Sequence, residues 1–383
     1  MNTAFHSCFT MAAAAAIAAG ITLNAAEPGA APFGCKAGYP GPLPGRAVIT
    51  CEGPRIKAGN AALAASWTWT QAGLKRRSLA DLQSKEQCAI TSEVFQIVLK
   101  NGERHAASAL AAEGRPRVSE LAPRLGASRL ADRIPGRQVE LTLHSRDGRL
   151  RVVWRAIAHD DGNYVREEID LEADKEAIGI REVVWLDEVL PGVRAAGVVN
   201  GSPLTLGHFF LGADDPMATN GVDGSGKATC RLSLNQTLHR GEKLTRSFVL
   251  GVAPEGQTRR AFLYYLERER AHPYRPFLHY NSWYDISWQA HALSEANCLE
   301  AIRLLGEKFI KPYGVVLNAV VFDDVWDDPR TLWQFHHGFP RGFTPLAALC
   351  KKYHTRLGVW LSPFGGYGAP REERLRFGRQ QGY

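Results

Sequence analysis

Two adjacent carboxylates, Asp323 and Asp324, stand directly after an almost continuous apolar run over 315–322, and Trp326 follows two residues later. Such a run is typical of a parallel strand that is buried on both faces. Carboxylates accept hydrogen bonds from sugar hydroxyls, and an indole can cover the apolar face of a sugar ring. The spacing predicts a sugar-binding position at the end of this strand. The alternative is that the carboxylates cap the next segment or pair with Arg330.

Two further strand ends offer similar groups. Residues 280–285, YNSWYD, end a strand predicted over 277–283, and residues 360–368, WLSPFGGYG, end a strand predicted over 357–361. The carboxyl ends of parallel strands lie along one edge, where the functional groups of βα folds concentrate. Each aromatic ring taken alone is more often a core residue than a ligand contact. Together, the three strand ends indicate one rim of aromatic and polar groups.

Helices alternate with these strands. One is predicted over 294–309, with Ser294 as its capping residue and an apolar stripe along one face, and Thr344-Pro345 is predicted to cap another. The pattern is βαβαβ, at about 40 residues per unit. A complete (β/α)8 barrel needs about 250 residues. Residues 271–383 are therefore expected to hold only the first three units of such a barrel.

The preceding region is rich in strand patterns. Val139, Leu141 and Leu143 alternate with polar residues, which is the period of a half-buried strand. Asp147-Gly148 then predicts a two-residue hairpin turn. Many short strands in series, with few helices, favour a β-sandwich.

These patterns predict a multidomain chain, in which an N-terminal all-β sandwich is followed by an incomplete (β/α)8 TIM barrel. The expected divisions are a signal peptide over 1–26, the β-sandwich domain over 27–257, a linker helix over 258–270 and the truncated barrel over 271–383. Within the sandwich, the Ala/Arg-rich segment 106–131 matches no pattern.

The N-terminus resembles a targeting segment. Residues 11–23 form an Ala-rich apolar run of signal-peptide length, too short for a membrane span of about 20 residues. We expect a secreted or periplasmic protein without a transmembrane segment. Cys35 and Cys51 could form a disulfide after export, although sequence alone does not establish the pairing. Cys298 and Cys350 fall in helix-like segments and are interpreted as buried thiols.

The distribution of charge and the spacing of the cysteines argue against nucleic-acid, cofactor and metal binding. The net charge of +7 arises from scattered basic residues without an accompanying motif, so nucleic-acid binding is set aside. The cysteines lack metal-ligand spacing, and no cofactor or metal is expected. One alternative is a Ca²⁺ site at Asp323, Asp324, Asp327 and Asp328, although their spacing is not that of an EF-hand loop.

Four motifs in a fixed order resemble a known family. They are NSW at 281–283, FDDVW at 322–326, FPRGF at 339–343 and GVW at 358–360. This order is similar to the barrel of bacterial α-galactosidases, in clan D of the glycoside hydrolases, which also includes α-N-acetylgalactosaminidases. Similar secreted proteins are often labelled enterotoxin-like. The resemblance covers 277–383, the N-terminal portion of the barrel, and a preceding β-sandwich is common in such enzymes.

The resemblance implies roles for five residues. Asp323 and Asp324 would bind hydroxyls of a terminal galactose-like sugar, and Trp283, Trp326 and Trp360 would line that subsite. It also implies a retaining mechanism, with a nucleophile after the fourth barrel strand and an acid/base after the sixth. Both would lie beyond this sequence. No catalytic residue is therefore assigned, and the chain alone is expected to be inactive.

The sequence departs from the family at two points. Val325 stands where the family usually has glycine, a change that is interpreted as minor, and 362–366 replaces an acidic run. The second departure leaves the sugar's identity open. The competing hypothesis is a non-catalytic carbohydrate-binding or adhesion protein that works through its sandwich. A glycan is the expected partner under both hypotheses, and the oligomeric state is not predicted.

Overall fold

The computed structural model describes residues 38–287 and 293–361, together with 372–373 and 375–376. The chain divides into two compact units, one over Gly34–Tyr274 and one that includes Arg275–Tyr383. The predicted signal peptide lies outside the described residues. Each unit is considered by itself below.

The larger unit is built almost entirely of strands. In chain order they are β1 (Val48–Glu52), β2 (Arg55–Gly59), β3 (Leu63–Thr70), β4 (Gly73–Asp81), β5 (Gln87–Ile90), β6 (Gln96–Leu99), β7 (Arg104–Ala106), β8 (Ala111–Leu121), β9 (Gly136–His144), β10 (Leu150–His159), β11 (Tyr164–Ala173), β12 (Ile178–Val189), β13 (Arg194–Ala195), β14 (Leu204–Leu206), β15 (Phe209–Ala213), β16 (Thr219–Val222), β17 (Lys227–Leu238) and β18 (Lys243–Val252). One long helix, α1 (Thr258–Glu269), follows them.

These strands form three antiparallel sheets. Their orders are β1-β2-β3-β4-β5, then β13-β14-β15-β18-β11-β10-β9-β8, and β16-β17-β12-β6-β7. A large hydrophobic core, which includes the fully buried Trp67, Trp154 and Trp185, is shared by strands of all three sheets. The prediction of a β-rich N-terminal region is confirmed.

Local sequence explains the central strands. Val139, Leu141 and Leu143 are buried on one face of β9, as their alternation predicts. Leu141 lies opposite Trp154 of β10, so the hairpin register places the indole in the core. The loop is longer than the predicted two residues, because the Ser145 amide still donates to Leu150 O at 2.9 Å and residues 146–149 make the connection. Gly148 lies in this loop at φ +67°, a backbone conformation that glycine adopts without steric cost.

The segment without a readable pattern contains β8, an edge strand of the eight-stranded sheet. Most of its side chains are exposed, so no face requires an apolar alternation. Its pairing with β9 shifts register between Glu113 and Arg117. Gly114 with φ +75° and Pro116, which has no amide hydrogen, lie within that shift. Bulges and prolines are common on edge strands because they discourage further pairing.

The smaller unit alternates strands and helices. Its elements are β19 (His279–Asn281), α2 (Glu295–Leu305), β20 (Ala319–Phe322), α3 (Thr344–Lys352) and β21 (Arg356–Val359). The strands pair in parallel in the order β19-β20-β21, with Asn281 opposite Val321 and Phe322 opposite Val359. Leu293, Ile302 and Phe322 belong to its core.

Three element predictions need correction. The strand predicted over 315–322 is shorter, because Val316 is 75% exposed and pairing begins at Ala319. The helix predicted over 294–309 is α-helical over Glu295–Leu305, then continues as a π-helical turn over Gly306–Ile310 and a short α-helical turn over Lys311–Tyr313. Thr344 does not cap α3, since it is already the first helical residue.

The cysteines of the smaller unit are buried, as predicted. Cys298 lies in α2 and Cys350 in α3, and burial raises the pKa of the Cys350 thiol to about 12. Cys51 is an exposed free thiol in β1. Its suggested partner, Cys35, lies outside the described residues. Within the part of the chain that the structure describes, no helix combines the length and apolar character needed to cross a bilayer.

Candidate functional site

The carboxyl ends of the three parallel strands meet at one edge of the small sheet. Ser282 follows β19, Asp323 follows β20 and Trp360 follows β21. Two hydrogen bonds extend the pairing past the strand ends, since the Ser282 amide donates to Val321 O at 3.1 Å and the Trp360 amide to Phe322 O at 2.9 Å. The sheet therefore brings residues from three distant parts of the sequence together.

The Asp323 carboxylate is held at both oxygens. Its Oδ2 accepts a hydrogen bond from Asn281 Nδ2 at 2.8 Å, and its Oδ1 accepts one from the Asp324 amide at 2.8 Å. A carboxylate oxygen can accept two hydrogen bonds. Asp323 therefore retains acceptor capacity at each oxygen after these two contacts.

Ser282 fixes the backbone beneath this carboxylate. The residue is fully buried, and its Oγ accepts a hydrogen bond from the Asp323 amide at 2.9 Å. The same hydroxyl lies 2.7 Å from Ser287 Oγ. Because a buried hydroxyl is costly to leave unpaired, these two contacts account for a polar residue inside the core.

A cleft of about 490 Å³ opens over the rim and is lined by Asn281, Trp283, Tyr284, Asp323 and Trp360. Three of the five residues predicted from sequence, Trp283, Asp323 and Trp360, are thus brought together. Two indoles beside a carboxylate and an amide offer both apolar faces and hydrogen-bonding groups. That combination suits a sugar, which presents a C–H face and a set of hydroxyls.

Asp324 lies next to this cleft but is not among its lining residues. It is partly buried, and its Oδ1 accepts a hydrogen bond from the Val325 amide at 2.8 Å. Asp324 thus braces the turn that follows β20, while its amide orients Asp323. The structure places the two adjacent carboxylates in different positions.

Trp326 is in the core rather than in the cleft. It is 2% exposed, and its ring packs against Phe335 and Phe343 with centroids 5.4 and 5.3 Å away. Its Nε1 donates to Trp360 O at 2.9 Å. The family resemblance implies that this indole lines the subsite. In the structure it instead supports the strand end that carries Trp360.

Val325 adopts a backbone conformation that valine rarely takes. Its φ is +72°, in the left-handed region, where a β-branched side chain is strained by about 1–2 kcal/mol. The replacement of the expected glycine is therefore not a minor change. This turn separates Asp323, at the end of β20, from the buried Trp326, so the strain is located at the site.

We predict that the usual order of glycine and alanine stability is reversed at Val325. Val325→Ala keeps a Cβ in the left-handed region and loses packing, whereas Val325→Gly removes the strain. Val325→Gly should be more stable than Val325→Ala by about 1 kcal/mol, measured by urea unfolding. The matched control is Val321, on the adjoining strand, where alanine should be the more stable replacement. A more stable Val325→Ala would contradict the strain.

Asp328, a further acidic residue of the loop after β20, is not among the residues that line the cleft. Asp328 pairs with Arg330 at 2.8 Å, and this guanidinium holds the pKa of Asp328 at about 2. Arg330, which the sequence suggested as a partner of Asp323 and Asp324, thus pairs with Asp328 instead. Across residues 38–287 and 293–361, no group of three or more His, Cys, Asp or Glu side chains could hold a metal ion, which removes the support for the Ca²⁺ alternative.

Two cleft residues, Asn281 and Tyr284, were missing from the sites predicted from sequence. Asn281 is the last residue of β19, and Tyr284, which is 85% exposed, lies in the segment that follows. The strand-end rule, applied to every polar or aromatic residue of the segment, would have included them. Residues 362–368, which were predicted to continue the rim after the third strand, lie outside the described residues.

Comparison with known proteins gives a likeness in structure only. Neither a protein-family model nor a curated protein matches this chain. Among solved structures, the GH36 α-galactosidase AgaB of Geobacillus stearothermophilus matches with a TM-score of 0.52 and 15% identity, over 82% of this chain and 57% of that chain. The galactosidase domain of the α-galactosidase–sucrose kinase AgaSK matches with a TM-score of 0.53 and 12% identity, over 82% and 57%.

A variant of the GH36 α-galactosidase AgaA from the same Geobacillus species, solved with stachyose, has a TM-score of 0.50 and 16% identity over 83% of this chain and 56% of that chain. The chain thus spans less than two thirds of these structures. At such identities the likeness shows a glycoside-hydrolase-like fold. The comparisons do not support the enterotoxin-like label.

Proposed function

We propose that this chain carries the sugar-binding rim of a secreted glycoside hydrolase of α-galactosidase type. The observation that carries the proposal is the Asp323 carboxylate, held beside two indoles at the ends of three parallel strands. The fold likeness to GH36 α-galactosidases supports the same class. The substrates would be terminal α-galactosides or α-N-acetylgalactosaminides, hydrolysed with retention.

In this proposal β19, β20 and β21 are the first strands of a (β/α)8 barrel, where ligands bind at the carboxyl ends. Asp323 accepts hydrogen bonds from hydroxyls of the terminal sugar, with Asp324 behind it, while Trp283 and Trp360 cover its apolar face. Retention requires two carboxyl groups about 5–5.5 Å apart, one as nucleophile and one as acid/base. We assign neither role to a described residue. Export by residues 1–26 belongs to the same proposal.

The direct test is sugar binding by the full chain. Two tryptophans line the cleft, so galactose should change the intrinsic fluorescence of the wild type. Asp323→Ala removes hydrogen bonds to a charged acceptor, worth about 1.5–3 kcal/mol, and should weaken binding by about 10- to 150-fold.

The matched control is Asp328→Ala, which removes a carboxylate from the same loop but leaves the cleft lining unchanged. This variant should bind galactose as the wild type does. Galactose binding that is equally strong in Asp323→Ala, or undetectable in the wild type, would refute the proposed site.

The alternative function is non-catalytic glycan binding by the larger unit. A groove of about 480 Å³ crosses the outer face of β1 and β2 and includes Thr50, Glu52 and Lys57. Its lining contains no aromatic residue, so it lacks a face for stacking a sugar ring. The small-unit cleft is therefore favoured. Sugar binding that survives Asp323→Ala and is lost in Lys57→Ala would reverse this choice.

A further inference from the structure

Asn281 is an exposed residue whose side-chain amide is hydrogen-bonded at both ends. Its Nδ2 donates to Asp323 Oδ2 at 2.8 Å, and its Oδ1 accepts from the Trp283 amide at 2.8 Å. One planar group therefore joins the carboxylate that follows β20 to the start of the aromatic segment after β19. The contact with the Trp283 amide is an ordinary Asx turn, whereas the contact with Asp323 spans 42 positions of the sequence.

The chemistry of the two partners fixes the orientation of this amide. A backbone N–H can only donate, so the atom that faces Trp283 N must be the oxygen. The NH₂ group then faces Asp323, whose ionised carboxylate can only accept. Among the proteinogenic side chains of this size, only asparagine offers an acceptor and a donor in these positions. Aspartate would keep the first contact and place a like charge at the second.

We propose that Asn281 is a positioning residue that aligns the Asp323 carboxylate with Trp283. The carboxylate then binds the sugar's hydroxyls, and the indole contacts its apolar face, in one fixed geometry. This inference rests on the proposed function of the cleft. Asp323 is already held through its backbone by Ser282 and at Oδ1 by the Asp324 amide. The Asn281 contact is the one that fixes Oδ2, and it sets the rotation of the carboxylate plane.

The experiment compares galactose affinity in the full-length wild type and in Asn281→Asp at pH 7.5 and pH 5. At pH 7.5 two carboxylates would face each other, and affinity should fall by about 10-fold. As the pH falls, the two carboxyl groups share a proton, which restores a donor to Asp323. The affinity ratio between wild type and variant should therefore shrink to about 2-fold at pH 5.

Neighbouring carboxylates must be considered in this pH comparison. Among the described residues, Asp324 lies on the same loop as Asp323, and Asp285 follows β19, where its Oδ2 accepts from the Tyr280 hydroxyl at 2.6 Å. Both are present in the wild type as well as in the variant. Taking the ratio of affinities at each pH removes contributions that the two proteins share.

Two further variants separate positioning from charge and from folding. Asn281→Ser removes the donor to Asp323 but can still accept from the Trp283 amide, and it should weaken binding about 5-fold at both pH values. Asn318→Asp is the matched control, because Asn318 Oδ1 accepts from the Leu278 amide at 2.9 Å at the opposite end of the same strands. This control should bind galactose like the wild type.

The outcomes distinguish the inference from the function on which it rests. A wild type that binds no galactose refutes the proposed function, and the positioning role with it. In a second outcome, the wild type binds galactose while Asn281→Asp binds it equally well, or the affinity ratio between the two proteins does not change with pH. Either result overturns the positioning role alone. If Asn318→Asp also weakened galactose binding, the added negative charge alone would explain the effect of Asn281→Asp. That result would also overturn the positioning role.

Discussion

Replacement of Arg77 by methionine is expected to lower the free energy of unfolding of the larger unit by about 3–5 kcal/mol. The Arg77 guanidinium and the Glu167 carboxylate are fully buried and 3.0 Å apart. Arg77 also donates to Val94 O at 3.2 Å and to Trp185 O at 2.6 Å. Removal of the cation leaves an uncompensated charge and two carbonyls without this donor, which costs far more than loss of a surface pair.

Glu167 also hydrogen-bonds to the aromatic side chains around its ion pair with Arg77. Its two oxygens accept from Trp67 Nε1 and Trp154 Nε1, each at 3.2 Å. The two indoles themselves pack edge to face with centroids 5.2 Å apart. A single carboxylate therefore satisfies one guanidinium and two indole donors, and a change at any member leaves buried polar groups unpaired.

The measurement is urea unfolding, with hydrogen exchange of peptides from β10 and β11 to locate the effect in the larger unit. Arg303→Met is the control, because Arg303 and Glu300 are both about half exposed, and a surface pair contributes about 0–1 kcal/mol. The double variant Arg77→Met/Glu167→Gln should recover part of the loss, since no unpaired charge remains buried. An Arg77→Met variant as stable as Arg303→Met would contradict this account of the core.

Trp326→Ala is expected to destabilise the smaller unit by about 3–5 kcal/mol, the usual cost of deleting a buried aromatic side chain. The ring is enclosed by Phe335 and Phe343, and its hydrogen bond to Trp360 O is lost as well. Hydrogen exchange at β20 and β21 should report the change. Galactose affinity should also fall, because the support of Trp360 is removed.

Two variants test the supporting role of Trp326. Trp326→Phe keeps most of the ring packing and loses the N–H donor, so it should cost about 1–2 kcal/mol. Trp283→Ala, in contrast, removes a partly exposed indole that lines the cleft, and it should reduce affinity with a smaller loss of stability. If Trp326→Ala lost affinity without losing stability, the indole would contact the sugar, as the resemblance implied.

Hydrophobic periodicity and the residues at strand ends account for most of the strands and site residues that the sequence could predict. The alternation of Val139, Leu141 and Leu143 identified a half-buried strand because only one face of β9 meets the core. The apolar run before Asp323 identified a buried parallel strand and the position of a carboxylate at its end. Both signals are local and depend directly on burial.

The misjudged residues depend on contacts that are distant in sequence. Trp326 follows the strand end as closely as a rim residue would, and only its packing against Phe335 and Phe343 places it inside. The strain at Val325 appears only once the φ of the turn is known. Asn281 reaches Asp323 across 42 positions, so no local pattern could connect them.

The order of strands in the larger unit also constrains how the protein can be made. β6 has a partner in β12, and β11 lies between β10 and β18. Synthesis releases the early strands first, while β18 (Lys243–Val252) is the last strand of the unit to emerge from the ribosome. The central position of its largest sheet beside β11 therefore stays unfilled until residue 252 has left the exit tunnel. Folding of this unit during translation is delayed to its final strand, and its early strands are the segments a nascent-chain chaperone would shield.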